Sequence, residues 1–168
     1  GAVIRYTRNG QPPSSTTGTV YTGPVAVEET TVLRAVAVAD DHLDSRIETH
    51  TYLFPEDIIA DSVMRKSITG HADYGPQLRD SLRDVPSVSL VTAQVSAVNG
   101  DAEVPAFVEF LDPALTTGGA PAGTVVPQAN AGVRYFGGAY TNFAKKNFRL
   151  YFRGVYGDTK LDGPLFAD

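Results

Sequence analysis

Two glycines and two lysines offer the plainest chemistry in this 168-residue chain. Gly137-Gly138 stand between two β-type runs, and Lys145-Lys146 stand at the start of the second. Glycines let backbone N–H groups come close to phosphate oxygens, and a lysine entering on the next strand holds phosphate as a point charge. Strand alternation separates the two lysines, because Lys146 shares parity with Phe148, Leu150 and Phe152 while Arg149, Tyr151 and Arg153 take the other face. Lys146 is therefore the lysine expected to point inward. The spacing predicts nucleotide phosphate contacts from Gly137, Gly138, Lys146 and Lys145. The plainer alternative is a glycine hairpin beside a solvated pair of lysines.

The other reactive side chains form no comparable pattern. His42, His50 and His71 are scattered without a partner at metal-ligand spacing and read as structural or surface residues. Asp40-Asp41 and Asp44 make a small acidic loop, for which a solvated turn is the default and calcium the alternative. Glu56-Asp57, Asp80 and Asp84 read as helix-start and helix-face charges. No Ser/His/Asp order suggests a nucleophile, so no catalytic residue and no metal ligand is assigned. Tyrosines and phenylalanines fall mostly at strand positions, where core packing is the default and a carbohydrate platform the minority reading.

The elements that must position these residues are mostly strands. Runs at Val3–Thr7, Thr19–Tyr21, Val25–Val27, Thr31–Val38 and Arg46–Phe54 are separated by turn residues, which predicts a β-sandwich module over 1–54. Thr31–Val38 is apolar on both faces and is expected to be central. Asn9-Gly10 signals a tight turn. From Pro55 turn residues thin out. Asp57–Lys66 predicts one or two helical turns, and Gly75-Pro76 opens a better helix with Leu78, Leu82 and Val85 on one stripe, stopped by Pro86. Strands are expected at Val88–Thr92, Ala106–Phe110, Thr124–Val126, Gly132–Phe136 and Asn147–Arg153, with a loop over Asp112–Gly123. The expected division is 1–54, a helical connector 55–86, and 87–168.

Composition narrows the function classes. Hydrophobic residues at 42% can build a core, and 20% charged residues without a like-charge block argue against disorder. A formal net charge of −5 argues against nucleic-acid binding, which needs a concentrated basic surface. Cysteine is absent, which removes disulfides and thiolate metal sites. No run reaches the length of a membrane helix, and no signal peptide is visible. Because Gly1 is not an initiator methionine, the chain is expected to be a mature or excerpted piece of a longer protein.

Gly132, Gly137, Gly138, Lys145, Lys146, Phe148, Arg149, Tyr156, Gly157, Pro164, Leu165 and Phe166 fall in step with one known pattern. On these residues the last forty positions resemble the start of the CotH family of atypical, secreted protein kinases. Where that family often has Ser-Ser or Ser-Arg after the glycines, this chain has Ala139-Tyr140-Thr141. The resemblance implies a kinase-type nucleotide lobe that is only begun by Asp168, its catalytic and metal-binding aspartates lying downstream. It implies no required cofactor here, ATP with a divalent metal belonging to a longer parent. Ile4, Tyr6-Thr7, Gly10, Pro13, Tyr21, Pro24-Val25, Thr30-Thr31-Val32, Arg34-Ala35 and Thr51-Tyr52 similarly make the first third resemble the Ig-like module at the C-terminus of chitobiases and β-hexosaminidases. The fold expected from both is mainly β with minor α, an Ig-like β-sandwich followed by an incomplete α+β kinase-like segment.

Three functions follow from these readings. The first is a non-catalytic extracellular or cell-surface module of CotH-like ancestry, with other protein chains as partners and head-to-tail self-association through open sheet edges. The second is the accessory module and nucleotide-lobe start of a secreted kinase. The third is a carbohydrate-binding or spacer module. No nucleic-acid partner and no membrane span are expected under any of them.

Overall fold

A computed structural model describes residues 1–99, 102–113, 127–137 and 146–163. Gly138, Lys145, Pro164–Phe166, the expected strand at 124–126 and most of the loop at 112–123 lie outside the described residues. The chain is mainly β, with two four-stranded antiparallel sheets and a few short helices.

The first sheet contains β1 (Val3–Thr7), β2 (Thr19–Val20), β3 (Thr31–Val38) and β4 (Glu48–Tyr52), in the order β2-β1-β3-β4. β3 is an interior strand, paired with β1 from Val3↔Val38 to Thr7↔Arg34 and with β4 from Thr31↔Tyr52 to Ala35↔Glu48. Its apolar character on both faces suits that place, and Val36 is buried. Val25–Val27 joins no ladder. Val25 and Val27 are half-buried while Pro24, Ala26 and Glu28 are exposed, so the alternation there records burial without pairing. Gly10 turns the chain at φ 74°, and its N–H donates to the Val32 carbonyl at 3.2 Å.

The connector holds α1 (Pro55–Ala60), α2 (Lys66–Thr69) and α3 (Leu78–Asp84), the last entered through a 3-10 turn at Gly75–Gln77. None of these helices fully buries a residue. Pro55 fixes the first turn of α1, and Glu56 and Asp57 place negative charge at its positive end. The Asp57 carboxylate accepts the Thr30 N–H, and Glu56 pairs with Arg79 of α3. Leu78 and Leu82 are half-buried as their spacing predicts. Val85 is exposed, because the helix ends at Asp84 and Val85 is already extended ahead of Pro86.

The second sheet contains β5 (Ser87–Val91), β6 (Val104–Leu111), β7 (Gln128–Tyr135) and β8 (Phe148–Tyr151), ordered as in sequence. Val104, Ala106 and Val133 on one face pack with Val98 from a 3-10 turn at Val95–Asn99, and Leu90, Tyr135 and Leu150 flank them. The opposite face carries Val91, Phe107 and Asn130 in one row and Ser89, Glu109 and Gln128 in the next. That second face meets the first sheet. Residues 1–52 thus form one layer, and strands β5 to β8 supply the other.

Candidate functional site

The junction of the two layers concentrates the buried polar chemistry. Glu109 sits in the middle of β6, where neighbouring strands on both sides leave its side chain only 3% exposed. One carboxylate oxygen accepts the backbone N–H of Thr51 in β4 at 2.8 Å, and the other lies 3.7 Å from His50 Nδ1. The Thr51 and Ser89 hydroxyls are 2.7 Å apart and close the same joint. A buried carboxylate needs such donors, because an uncompensated charge there costs several kcal/mol, on the order of 3–5. The His50 imidazole is held above its ordinary 6.5, first by the side-chain contact with Glu109, against its partial burial, with the charges of Glu109 and Glu48 adding.

Beside this joint runs an open groove of about 380 Å³, with Pro12 and Arg34 on the first layer and Phe107, Gln94, Asn130 and Tyr156 on the second. Arg34 donates from Nε to the Thr49 hydroxyl and from Nη1 to the Gly10 carbonyl, each at 3.1 Å. Its pKa is lowered by burial. On the far wall the chain after β8 folds back over the sheet. The Tyr156 hydroxyl donates to Glu103 at 3.0 Å, Arg153 pairs with Glu103 at 2.9 Å, and the Asp158 carboxylate accepts the Asn130 N–H at 3.0 Å. Burial first, then the Glu103 carboxylate, raises the Tyr156 phenol, while Arg153 lowers it.

The residues singled out in the sequence fall elsewhere. Gly137 follows β7 with φ 126°, a conformation that favours glycine. Lys146 precedes β8, and its ammonium lies 5.3 Å from the centre of the Tyr135 ring. Tyr135 pairs in register with Phe148 and meets it edge-on at 5.4 Å. Gly137 and Lys146 therefore flank the β7–β8 pair, away from the interlayer groove. His42 and His71 make local contacts only, His42 with the Asp40 carbonyl and His71 stacked on Tyr74 at 4.3 Å. Among the described residues no group of three or more His, Cys, Asp or Glu is placed to hold a metal ion. Nor is any helix of the described residues long and apolar enough to cross a membrane. Sequence reasoning missed the Glu109–His50–Thr51 joint, whose only local trace is a glutamate amid the apolar run of β6.

Among known families, the model described as Fn3 associated matches residues 1–52, the span of the first sheet. No curated protein and no solved structure matches the chain.

Proposed function

We propose that this chain acts as a non-catalytic extracellular or cell-surface module that associates with other protein chains, itself included. The observation that carries this reading is the Fn3-associated match over residues 1–52, a segment whose sheet is seated on the second layer through Thr51 and Glu109. In this reading the chain is a spacer or docking surface. The titratable groups at the interlayer joint fit that role, since Glu109 is committed to Thr51 and His50, and Arg34 to Thr49 and Gly10. The division into 1–54, 55–86 and 87–168 belongs to the same proposal, supported by a connector with no fully buried residue in its α-helices. Limited proteolysis should cut first within residues 55–73. Early cuts inside β3 would reject the division.

A second reading, the accessory module and nucleotide-lobe start of a secreted kinase, rests on Gly137 at positive φ after β7 and Lys146 beside the Tyr135 ring before β8. In it, the β7–β8 pair is the beginning of a nucleotide lobe, with Gly137, Gly138, Lys145 and Lys146 as the proposed phosphate contacts. Phosphoryl transfer also needs metal-holding and base carboxylates. Titration of the protein with labelled ATP and magnesium, with Lys146→Ala alongside, separates the two. Transfer of label that depends on Lys146 would reject the non-catalytic reading.

A further inference from the structure

The β7–β8 pair places positive charges where a sheet ordinarily avoids them. Arg134 and Arg149 are direct register partners, and like charges opposite each other destabilise a strand pair. Alternation brings Phe136 and Tyr151 to the same face, and each guanidinium meets one of those rings. Arg149 lies 3.6 Å from the centre of Phe136, Arg153 lies 4.8 Å from Tyr151, and Arg134 lies 5.4 Å from Tyr151 while its Nε donates to the Tyr151 hydroxyl at 2.7 Å. Ring contact holds the Arg149 guanidinium in place and leaves its planar fork of N–H donors directed along the surface, while Arg153 is already paired with Glu103. Among the described residues Arg149 meets the Phe136 ring and no carboxylate, and it is exposed. Such a face is matched to carboxylates, which take two parallel bonds from one guanidinium.

The β3–β4 loop of the same chain has the complementary character. Its neck is closed by the Ser45 N–H donating to the Ala37 carbonyl and the Ala37 N–H donating to the Ser45 hydroxyl, each at 2.9 Å. Beyond the neck Asp40, Asp41 and Asp44 are exposed, and Leu43 between them is 99% exposed. A closed neck presents an apolar tip flanked by carboxylates, and Phe136 at 46% exposed offers apolar surface beside Arg149.

We infer that the arginine–aromatic face of β7 and β8 docks the acidic β3–β4 loop of a second copy of this chain. The inference rests on the proposed self-association and names the surfaces that carry it. The two patches differ, so the contact is head-to-tail and leaves one donor and one acceptor free after each addition.

Sedimentation velocity on wild type, Arg149→Glu and Asp44→Lys, at low and high salt, tests it. Wild type should associate at low salt and dissociate as salt screens the charges. Each variant should lose at least tenfold in association constant, and an equimolar mixture of the two should recover a dimer, because the intact acidic loop of Arg149→Glu then meets the intact arginine face of Asp44→Lys. Recovery in the mixture excludes misfolding as the cause of the single losses. Association unchanged by either substitution would overturn the inference and leave self-association through another surface standing. A wild type that stays monomeric up to about 1 mM, the weakest affinity of interest, would overturn both.

Discussion

The backbone N–H of Thr51 donates to the buried carboxylate of Glu109 at 2.8 Å, a bond that spans 58 residues of sequence and ties one sheet to the other. Thr51 lies in β4, at the edge of its sheet, where backbone donors facing outward have no neighbouring strand. Asp158 does the same for Asn130 of β7, and Asp57 for Thr30 just before β3. Three carboxylates thus satisfy backbone donors that no ladder reaches.

Glu109→Ala removes the acceptor and leaves the Thr51 N–H with no partner at a covered joint. The expected loss of folding stability is about 1.5–3 kcal/mol, the range for a hydrogen bond to a charged group. Glu109→Gln keeps an oxygen for Thr51 and should lose less, about 1 kcal/mol. Urea denaturation of the three proteins measures this, and equal stability for Glu109→Ala and wild type would show the joint to be idle.

His50 gives the joint a pH dependence whose direction is fixed by the raised folded-state pKa. Its contribution is complete below the unfolded value of about 6.5 and is lost as pH rises through the folded value. With its side chain 56% exposed, solvent screens much of the pair, so the effect is small. The denaturation midpoint of wild type should fall between about pH 6 and pH 8 relative to His50→Gln, which lacks the titrating ring. Parallel pH profiles for the two proteins would rule the effect out.

Local pattern made parts of the fold legible and long-range pairing hid the rest. Val3–Thr7 and Thr31–Val38 form strands with the bounds their alternation predicts. β7 begins at Gln128, four residues ahead of the expected Gly132, because Gln128 and Asn130 are polar residues on the face that meets the other layer. The turn at Val95–Asn99 has no hydrophobic period to reveal it, yet its Val98 is a core residue. Opposite faces for Phe148 and Arg149 were readable from alternation. The pairing of Arg149 with Arg134 was not, since register depends on contacts between β7 and β8.

Arg34 tests the first layer's own hold on its loop. Its fork joins the Thr49 hydroxyl in β4 to the Gly10 carbonyl in the loop after β1, a geometry that a lysine ammonium cannot reproduce. Arg34→Lys should lower stability by about 1–2 kcal/mol, the worth of one or two such bonds. Amide exchange should show faster opening at Gly10, whose N–H bonds to Val32. Unchanged exchange there would place the loop's stability elsewhere.

Gly132 shows how closely the returning chain covers the second sheet. A Cβ at this position would lie 2.5 Å from one carbon of the Tyr156 ring and 2.7 Å from the phenol oxygen. The strand cannot yield easily, because Gly132 pairs with Pro105 on one side and Tyr151 on the other. Tyr156 must therefore move in Gly132→Ala, and its hydroxyl would leave Glu103. Overpacking of this kind costs about 1–3 kcal/mol. Tyr156→Phe loses only the hydroxyl bond and should cost about 1 kcal/mol. If the steric account is right, Tyr156→Ala in the Gly132→Ala background should do less harm than Tyr156→Ala alone, because the ring being removed is the one that clashes. Additive losses in this double-mutant cycle would show that the backbone, and not Tyr156, absorbs the added methyl.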